Sequence, residues 1–142
     1  VSIDLLSGTG RDAFGGIDNL SSIEIINGSS FADTIAGGTA NETLYGGSGN
    51  DLYFVNGIAD LVIELSGGGA DTVIASASMT IPNQVEVLQV AAGVAGISIT
   101  GSAGNDVLIT NGLANNVNGG GGDDVILTGT TTLADIYALF GP

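Results

Sequence analysis

The sequence predicts an all-β solenoid: a coil of short strands and tight turns in which each half-turn sends one residue to the core. Three observations carry that expectation. Large apolar residues recur every nine positions, an acid stands two positions before many of them, and 25 glycines in 142 residues supply corners. A period of nine with one inward residue fits neither an amphipathic helix nor a hairpin ladder. Two nonapeptides make one coil, and such repeats bury a core only by stacking on neighbours.

The first series of apolar markers is Ile17, Ile26, Ile35, Leu44, Tyr53 and Val62. The second is Ile81, Val90, Ile99, Leu108, Val117 and Ile126, with Val73 between the two series and a net slip of one residue. The span from Ile17 to Ile126 holds about six coils, or seven with the ends. Two positions before the first markers stand Glu24, Asp33, Glu42, Asp51 and Asp60, and Asp71 precedes Val73. In the second series that position holds Met79, Leu88, Ile97, Asp106, Asn115 and Asp124. The acid track therefore stops after Asp71 and resumes at Asp106.

Charge narrows the function classes. Fifteen acids face a single cation, Arg11, for a net charge of −14. That balance excludes nucleic-acid binding, which needs phosphate-neutralising side chains, and it opposes adhesion to anionic membranes or acidic polysaccharides. There is no Cys, so disulfides, thiolate metal sites and thiol nucleophiles are excluded. With no His and no Lys, the chain lacks the bases and cations of the lyases and epimerases built on parallel β-helices, and a non-enzymatic chain is expected. Carboxylate pairs can serve glycosidases, but every pair here is better explained by the acid track. A mean hydropathy of +0.46 argues against disorder. No apolar run reaches membrane-spanning length. The chain opens on Val1, and the sequence reads as a piece of a larger parent polypeptide.

The acid track needs a cation. Acids one coil apart would stack near the ~4.8 Å strand spacing, where two unit charges repel by about 3 kcal/mol at an effective dielectric of ~20. Several such pairs rival a domain's whole stability of ~5–15 kcal/mol. Calcium takes ~6–8 oxygens in irregular geometry, backbone carbonyls included, whereas magnesium insists on an octahedron. Zinc and copper prefer His or Cys, which are absent. The donor set selects calcium, several ions of it.

The phrase "GGSGNDLYF" (Gly46 to Phe54) fits the nonapeptide G-G-x-G-x-D-x-U-x at every defined position, and so does "GGGGDDVIL" (Gly119 to Leu127). "GSAGNDVLI" (Gly101 to Ile109) misses one glycine, while "GSSFADTIA" and "GGTANETLY" are degenerate copies. The chain resembles the RTX, hemolysin-type calcium-binding repeat proteins over nearly its whole length. The resemblance implies a right-handed parallel β-roll with calcium held between turns one coil apart. It implies as ligands Asp51 with the carbonyls of Gly46, Gly47, Ser48 and Gly49, and Asp33 with those of Gly28 and Ser30. Asp106 would act with Gly101 and Ala103, and Asp124 with Gly119, Gly120, Gly121 and Gly122. Glu42, Asp60 and Asp71 match the acidic position alone. The resemblance further implies type I secretion, an extracellular or cell-surface location, and folding on meeting external calcium.

On this frame residues 1–142 form one module. An N-terminal capping coil occupies 1–27, the first calcium-binding repeats 28–74, metal-poor spacer coils 75–100, and the second repeats 101–127. Residues 128–142, with "LADIYALF", are a C-terminal cap or the start of a further element. Two function classes stay open: a calcium-folded secretion and stability module of a larger protein, and a structural segment of an adhesin or surface layer. Leu88 and Ile97 offer no oxygen at the acidic position, so two clusters of ions are expected with a bare stretch between. Asp123 is expected in solvent. Calcium is not expected at Glu24, whose turn "NLSSIE" has no glycine, and Glu64 and Glu86 are read as surface charge, with an edge cap or an added ligand as the alternatives. Leu52, Phe54, Val107, Ile109, Val125 and Leu127 point outward, leaving ordinary sheet surface and a docking or self-association strip as open readings.

Overall fold

Runs of β-branched and large apolar residues between glycine corners favour strands, and the corners here come so often that each strand is only two to four residues long. The computed structural model describes residues 1–129. The N-terminal strands are β1 (Ser2–Asp4), β2 (Thr9–Arg11), β3 (Ile17–Asn19), β4 (Ile25–Asn27) and β5 (Thr34–Ala36). Then follow β6 (Thr43–Tyr45), β7 (Leu52–Val55), β8 (Leu61–Ile63), β9 (Thr72–Ala75) and β10 (Met79–Thr80). The last are β11 (Val87–Val90), β12 (Ser98–Thr100), β13 (Val107–Ile109), β14 (Asn116–Asn118) and β15 (Val125–Leu127). Among the described residues there is no helix. The expected C-terminal segment lies outside them from residue 130 onward.

The chain is an all-β solenoid of parallel, stacked coils. One wall is a nine-stranded sheet in the order β15-β13-β11-β9-β7-β5-β1-β2-β3. The other wall is two three-stranded parallel sheets, β4-β6-β8 and β10-β12-β14. Successive coils place one residue above another in the core. Ile3, Ile35, Tyr53, Val73, Leu88 and Leu108 form one column, and Ile126, expected in the core, stacks on Leu108 at its end but is 47% exposed. Ile26, Leu44 and Val62 face it from the first short sheet, and Met79, Ile99 and Val117 from the second. From Ile35 to Leu108 that first column is fully buried.

Three readings of the frame are corrected. Ile17 is not a core marker: it is 58% exposed and lies in β3, which pairs antiparallel with β2. The loop between them is set locally, with Asp12 Oδ1 accepting from Phe14 N–H at 2.9 Å. Its place in the column is taken by Ile3, whose strand adds to β5 in parallel. Leu88, expected at the acidic position, is a core residue aligned with Val73 and Leu108. Val90 is the second inward residue of the same strand, opposite Ala75. Ile81 lies in register with Gly101, at the first position of a turn. Residues two apart on a strand share a face, so an apolar marker cannot distinguish two frames two residues apart.

The single-residue slip is composite. The step from one coil to the next is 18 from Asp33 to Asp51, 20 from Asp51 to Asp71, and 15 from Asp71 to Glu86. It returns to 20 from Asn83 to Ala103. Longer turns on either side of a shorter path into β11 nearly cancel it. Of the outward apolar residues, Ile109 is buried and Leu52, Phe54, Val107, Val125 and Leu127 are half-buried. Each is shielded by the neighbour stacked on it, as Phe54 is by Ala36 and Ile74.

Candidate metal centre

The acids stack because each sits just before a strand, at the mouth of a glycine turn, and parallel pairing repeats that place from coil to coil. Along the long sheet the backbone N–H groups of Asp33, Asp51, Asp71 and Asp106 donate to the carboxylate one coil further on. Asp33 N–H donates to Asp51 Oδ1 at 2.8 Å, and Asp51 N–H to Asp71 Oδ1 at 2.8 Å. Asp71 N–H donates to Glu86 Oε2 at 2.8 Å, and Asp106 N–H to Asp124 Oδ1 at 3.1 Å. On the other wall Glu42 N–H donates to Asp60 Oδ1 at 3.2 Å.

Glu86 was missed as a member of this file. It stands two residues before Leu88, so the acid track of the long sheet passes through the expected bare stretch. The interruption is one-sided. On the second wall Ile97 holds the acidic position, and its N–H donates to the neutral Asn115 Oδ1 at 3.2 Å. Glu86 is half-buried, whereas Glu24 and Asp123 are exposed.

The second carboxylate oxygen distinguishes the turns. Asp33 Oδ2 accepts from Ser29 N–H at 2.5 Å, and Asp106 Oδ2 from Ser102 N–H at 2.6 Å. Asp60 Oδ2 accepts from Gly57 N–H at 2.8 Å, and Glu42 Oε2 from Gly38 N–H at 3.2 Å. Asp51 Oδ2 and Asp71 Oδ2 are buried and, among the described residues, have no hydrogen-bond partner. A buried polar group without a partner costs several kcal/mol, about 2–7 by transfer, and a charged one more. These two oxygens are where a cation fits.

Backbone carbonyls of the turns lie between the stacked coils. The oxygens of Gly46 and Gly119 lie against the α-carbons of Gly28 and Gly101 one coil up, where any Cβ would overlap them. Those of Ser29 and Ser102 similarly approach Gly47 and Gly120. Gly121 N–H donates to Ser102 O at 2.9 Å, and Gly49 N–H to Gly68 O at 2.6 Å. Gly122 packs against Gly104, and Ala103 against Gly121. The exposed Ser30 and Ser48 sit at turn tips. The donor set is oxygen throughout.

Glu64 is not surface charge. It is 7% exposed and accepts a hydrogen bond from the hydroxyl of the fully buried Tyr53. Ligand atoms of Asp51, Glu64 and Asp71 lie within 4.8 Å of one another. Burial, and then the neighbouring carboxylates, push Asp51, Asp71 and Glu64 above the ordinary carboxylate range. Burial and Asp60 do the same to Glu42, and burial, then Glu64, raises the Tyr53 phenol.

A pH dependence follows for the chain in chelator. A carboxylate raised in the folded state binds its proton more tightly there than in the unfolded chain. Its contribution is present below the ordinary value of about 4 and is lost as pH rises through the raised value. In chelator the chain is expected to hold more β structure near about pH 5 than near about pH 7.5. With calcium the order should reverse, because protons and the ion compete for the same oxygens. Circular dichroism at the two values, with and without calcium, checks both signs. Less structure in chelator at the lower pH would contradict the first.

The family comparison meets this geometry at the turns. The model of the RTX calcium-binding nonapeptide repeat matches residues 18–53 and 100–130, in four copies. The chain carries RTX calcium-binding repeats. The RTX matches take in the turns of Asp33, Glu42, Asp51, Asp106 and Asp124, and neither covers Glu64 or the turn that follows it. No curated protein and no solved structure matches the chain.

Proposed function

We propose that this chain is a calcium-folded module of a larger protein exported by type I secretion, acting in the folding, stability and export of that protein. RTX repeats are typically found in secreted bacterial proteins, and a chain without cysteine suits folding governed by an ion rather than by disulfides. The observation that carries the reading is the pair of buried, unpartnered oxygens on Asp51, inside a matched repeat, and on Asp71, one coil further on. Before export, where calcium is scarce, stacked carboxylates keep the chain unfolded. Outside, calcium neutralises the file and the coils stack.

The carboxylates are read as ligands rather than catalysts. Arg11 is exposed on β2, remote from them in sequence, and the chain has no His or Lys to serve as a base. The ligands would be Asp33, Glu42, Asp51, Asp60, Asp71, Asp106 and Asp124 with the turn carbonyls named above. In this arrangement residues 28–74 and 101–127 are the ion-holding blocks, and 75–100 holds ions on one wall at most.

Asp51 tests the assignment. It stands between Asp33 and Asp71 in the file, so it would serve the ions on both its sides. Asp51→Ala should raise the calcium concentration at the folding midpoint by about tenfold or more, given how ligand charge sets affinity. Asp123→Ala, at the exposed fifth position, should leave the midpoint near the parent value. Equal midpoints for the two variants, read by circular dichroism across a calcium titration, would remove Asp51 from the ligand set.

A further inference from the structure

Glu64 occupies a place that glycine holds elsewhere. Strand pairing sets Asn27 beside Tyr45 and Tyr45 beside Ile63. The next residue in each coil is therefore Gly28, Gly46 and then Glu64. Where the two earlier coils begin their turn with a bare α-carbon and a carbonyl, this coil begins with a carboxylate. The turn it opens is also longer, since the step from Asp51 to Asp71 is 20 against 18 from Asp33 to Asp51. That extra length carries the chain around the inserted side chain.

The carboxylate goes inward. Tyr53 hydroxyl donates to Glu64 Oε1, and Leu65 N–H donates to Oε2 at 3.3 Å. The α-carbon of Gly46 faces the same spot: a Cβ there would overlap Tyr53 hydroxyl, Asp51 Oδ2 and Glu64 Oε1. Asp51 Oδ2 and Asp71 Oδ2, both buried and unpartnered, aim into it. Three carboxylates thus converge within 4.8 Å. None of the described hydrogen bonds to them comes from a cationic side chain.

We propose that Glu64 is a direct ligand of a three-carboxylate cation site with Asp51 and Asp71, that this is the tightest site in the chain, and that Tyr53 holds Glu64 in place by hydrogen bond. The site takes a hard, oxygen-seeking ion, calcium or a trivalent lanthanide in its stead. The second oxygens of Asp33, Glu42, Asp60 and Asp106 are tied to backbone N–H groups, so an ion there must displace hydrogen bonds. Here two oxygens are free and a third acid adds charge. The inference rests on the calcium reading above and adds to it a residue beyond the matched repeats.

Calorimetric calcium titration of the full chain and of Glu64→Gln tests it, joined to terbium luminescence excited through tyrosine. Glu64→Gln keeps the side chain's size and its acceptor oxygen for Tyr53. The tightest phase of the isotherm should weaken by about tenfold or more, the weaker phases should stay, and the β spectrum at saturating calcium should be unchanged. An unchanged tightest phase overturns the role of Glu64 while leaving the calcium reading intact. A parent chain that binds no calcium overturns both. If Glu64→Gln does not fold even in excess calcium, terbium on the parent chain decides. Tyrosine-sensitised emission should saturate with the first bound ion and fall strongly in Tyr53→Phe. Emission that grows only with later ions, or that survives in Tyr53→Phe, overturns the proposal.

Discussion

Chelation of calcium at neutral pH is expected to abolish the β spectrum, and millimolar calcium to restore it. The carboxylates carry the reason. Asp51, Glu64 and Asp71 lie within 4.8 Å of one another, and each such pair repels by about 3–4 kcal/mol at an effective dielectric of ~20. Asp33, Glu86 and Glu42 with Asp60 extend the repulsion along both walls. Together these terms match the ~5–15 kcal/mol that holds a domain folded. Ions reverse the sign: each one bound at about 100 times its dissociation constant adds about 2.7 kcal/mol to the folded state. Burial cannot replace them. The core column contributes about 25 cal/mol for each Å² of apolar surface removed from water, and most of that offsets the entropy of fixing a glycine-rich chain. A full β spectrum in chelator at neutral pH would show that the stacked core alone suffices, and calcium would lose its place as the folding signal.

The sequence held the coil and half of the file. Marker residues from Ile26 to Val62 and at Leu108 fell in the core because period and register agree there. Between Asp71 and Asp106 the spacing changes twice, by shortening and then lengthening, and only the net change was visible in the chain. Leu88 was misplaced because Val90, two residues on, is equally apolar and equally buried. The acid decides between the two frames: Glu86 accepts from Asp71 N–H only if Leu88 is the core residue. Glu64 escaped for a different reason. Its role follows from replacing a glycine across the coil, and nothing within its own nonapeptide marks the substitution. Ile17 shows the limit of counting by nine. A hairpin pairing inserted at the first coil moved it out to solvent, and Ile3, outside the count, filled the column.

Gly49→Ala should cost far more than Gly67→Ala, and the difference isolates close coil stacking from backbone conformation. Both glycines have positive φ, +114° at Gly49 and +79° at Gly67. Left-handed backbone costs an alanine about 1–2 kcal/mol, partly offset by ~0.4–1 kcal/mol from a stiffer unfolded chain. Around Gly67 nothing lies within 4 Å of an added Cβ, so Gly67→Ala should lose only about 1 kcal/mol. At Gly49 the φ lies beyond the usual left-handed well, which is centred at about +57°. A Cβ there would also stand 2.5 Å from Ala32 N and Phe31 C. Those are backbone atoms of the coil above, and they cannot rotate aside as a side chain would. Relief requires moving one coil off the other, which stretches Ser48 N–H from Ser29 O, now at 3.3 Å, and Asp33 N–H from Asp51 Oδ1, now at 2.8 Å, and opens the turn that presents Asp51. The expected loss is about 4 kcal/mol or more, a size reserved for steric or buried-charge defects. Urea unfolding of both variants in saturating calcium measures it. Equal midpoints would mean that the coils have slack at the turn, and the close approach of stacked glycine corners would then not be what fixes the carboxylates in line.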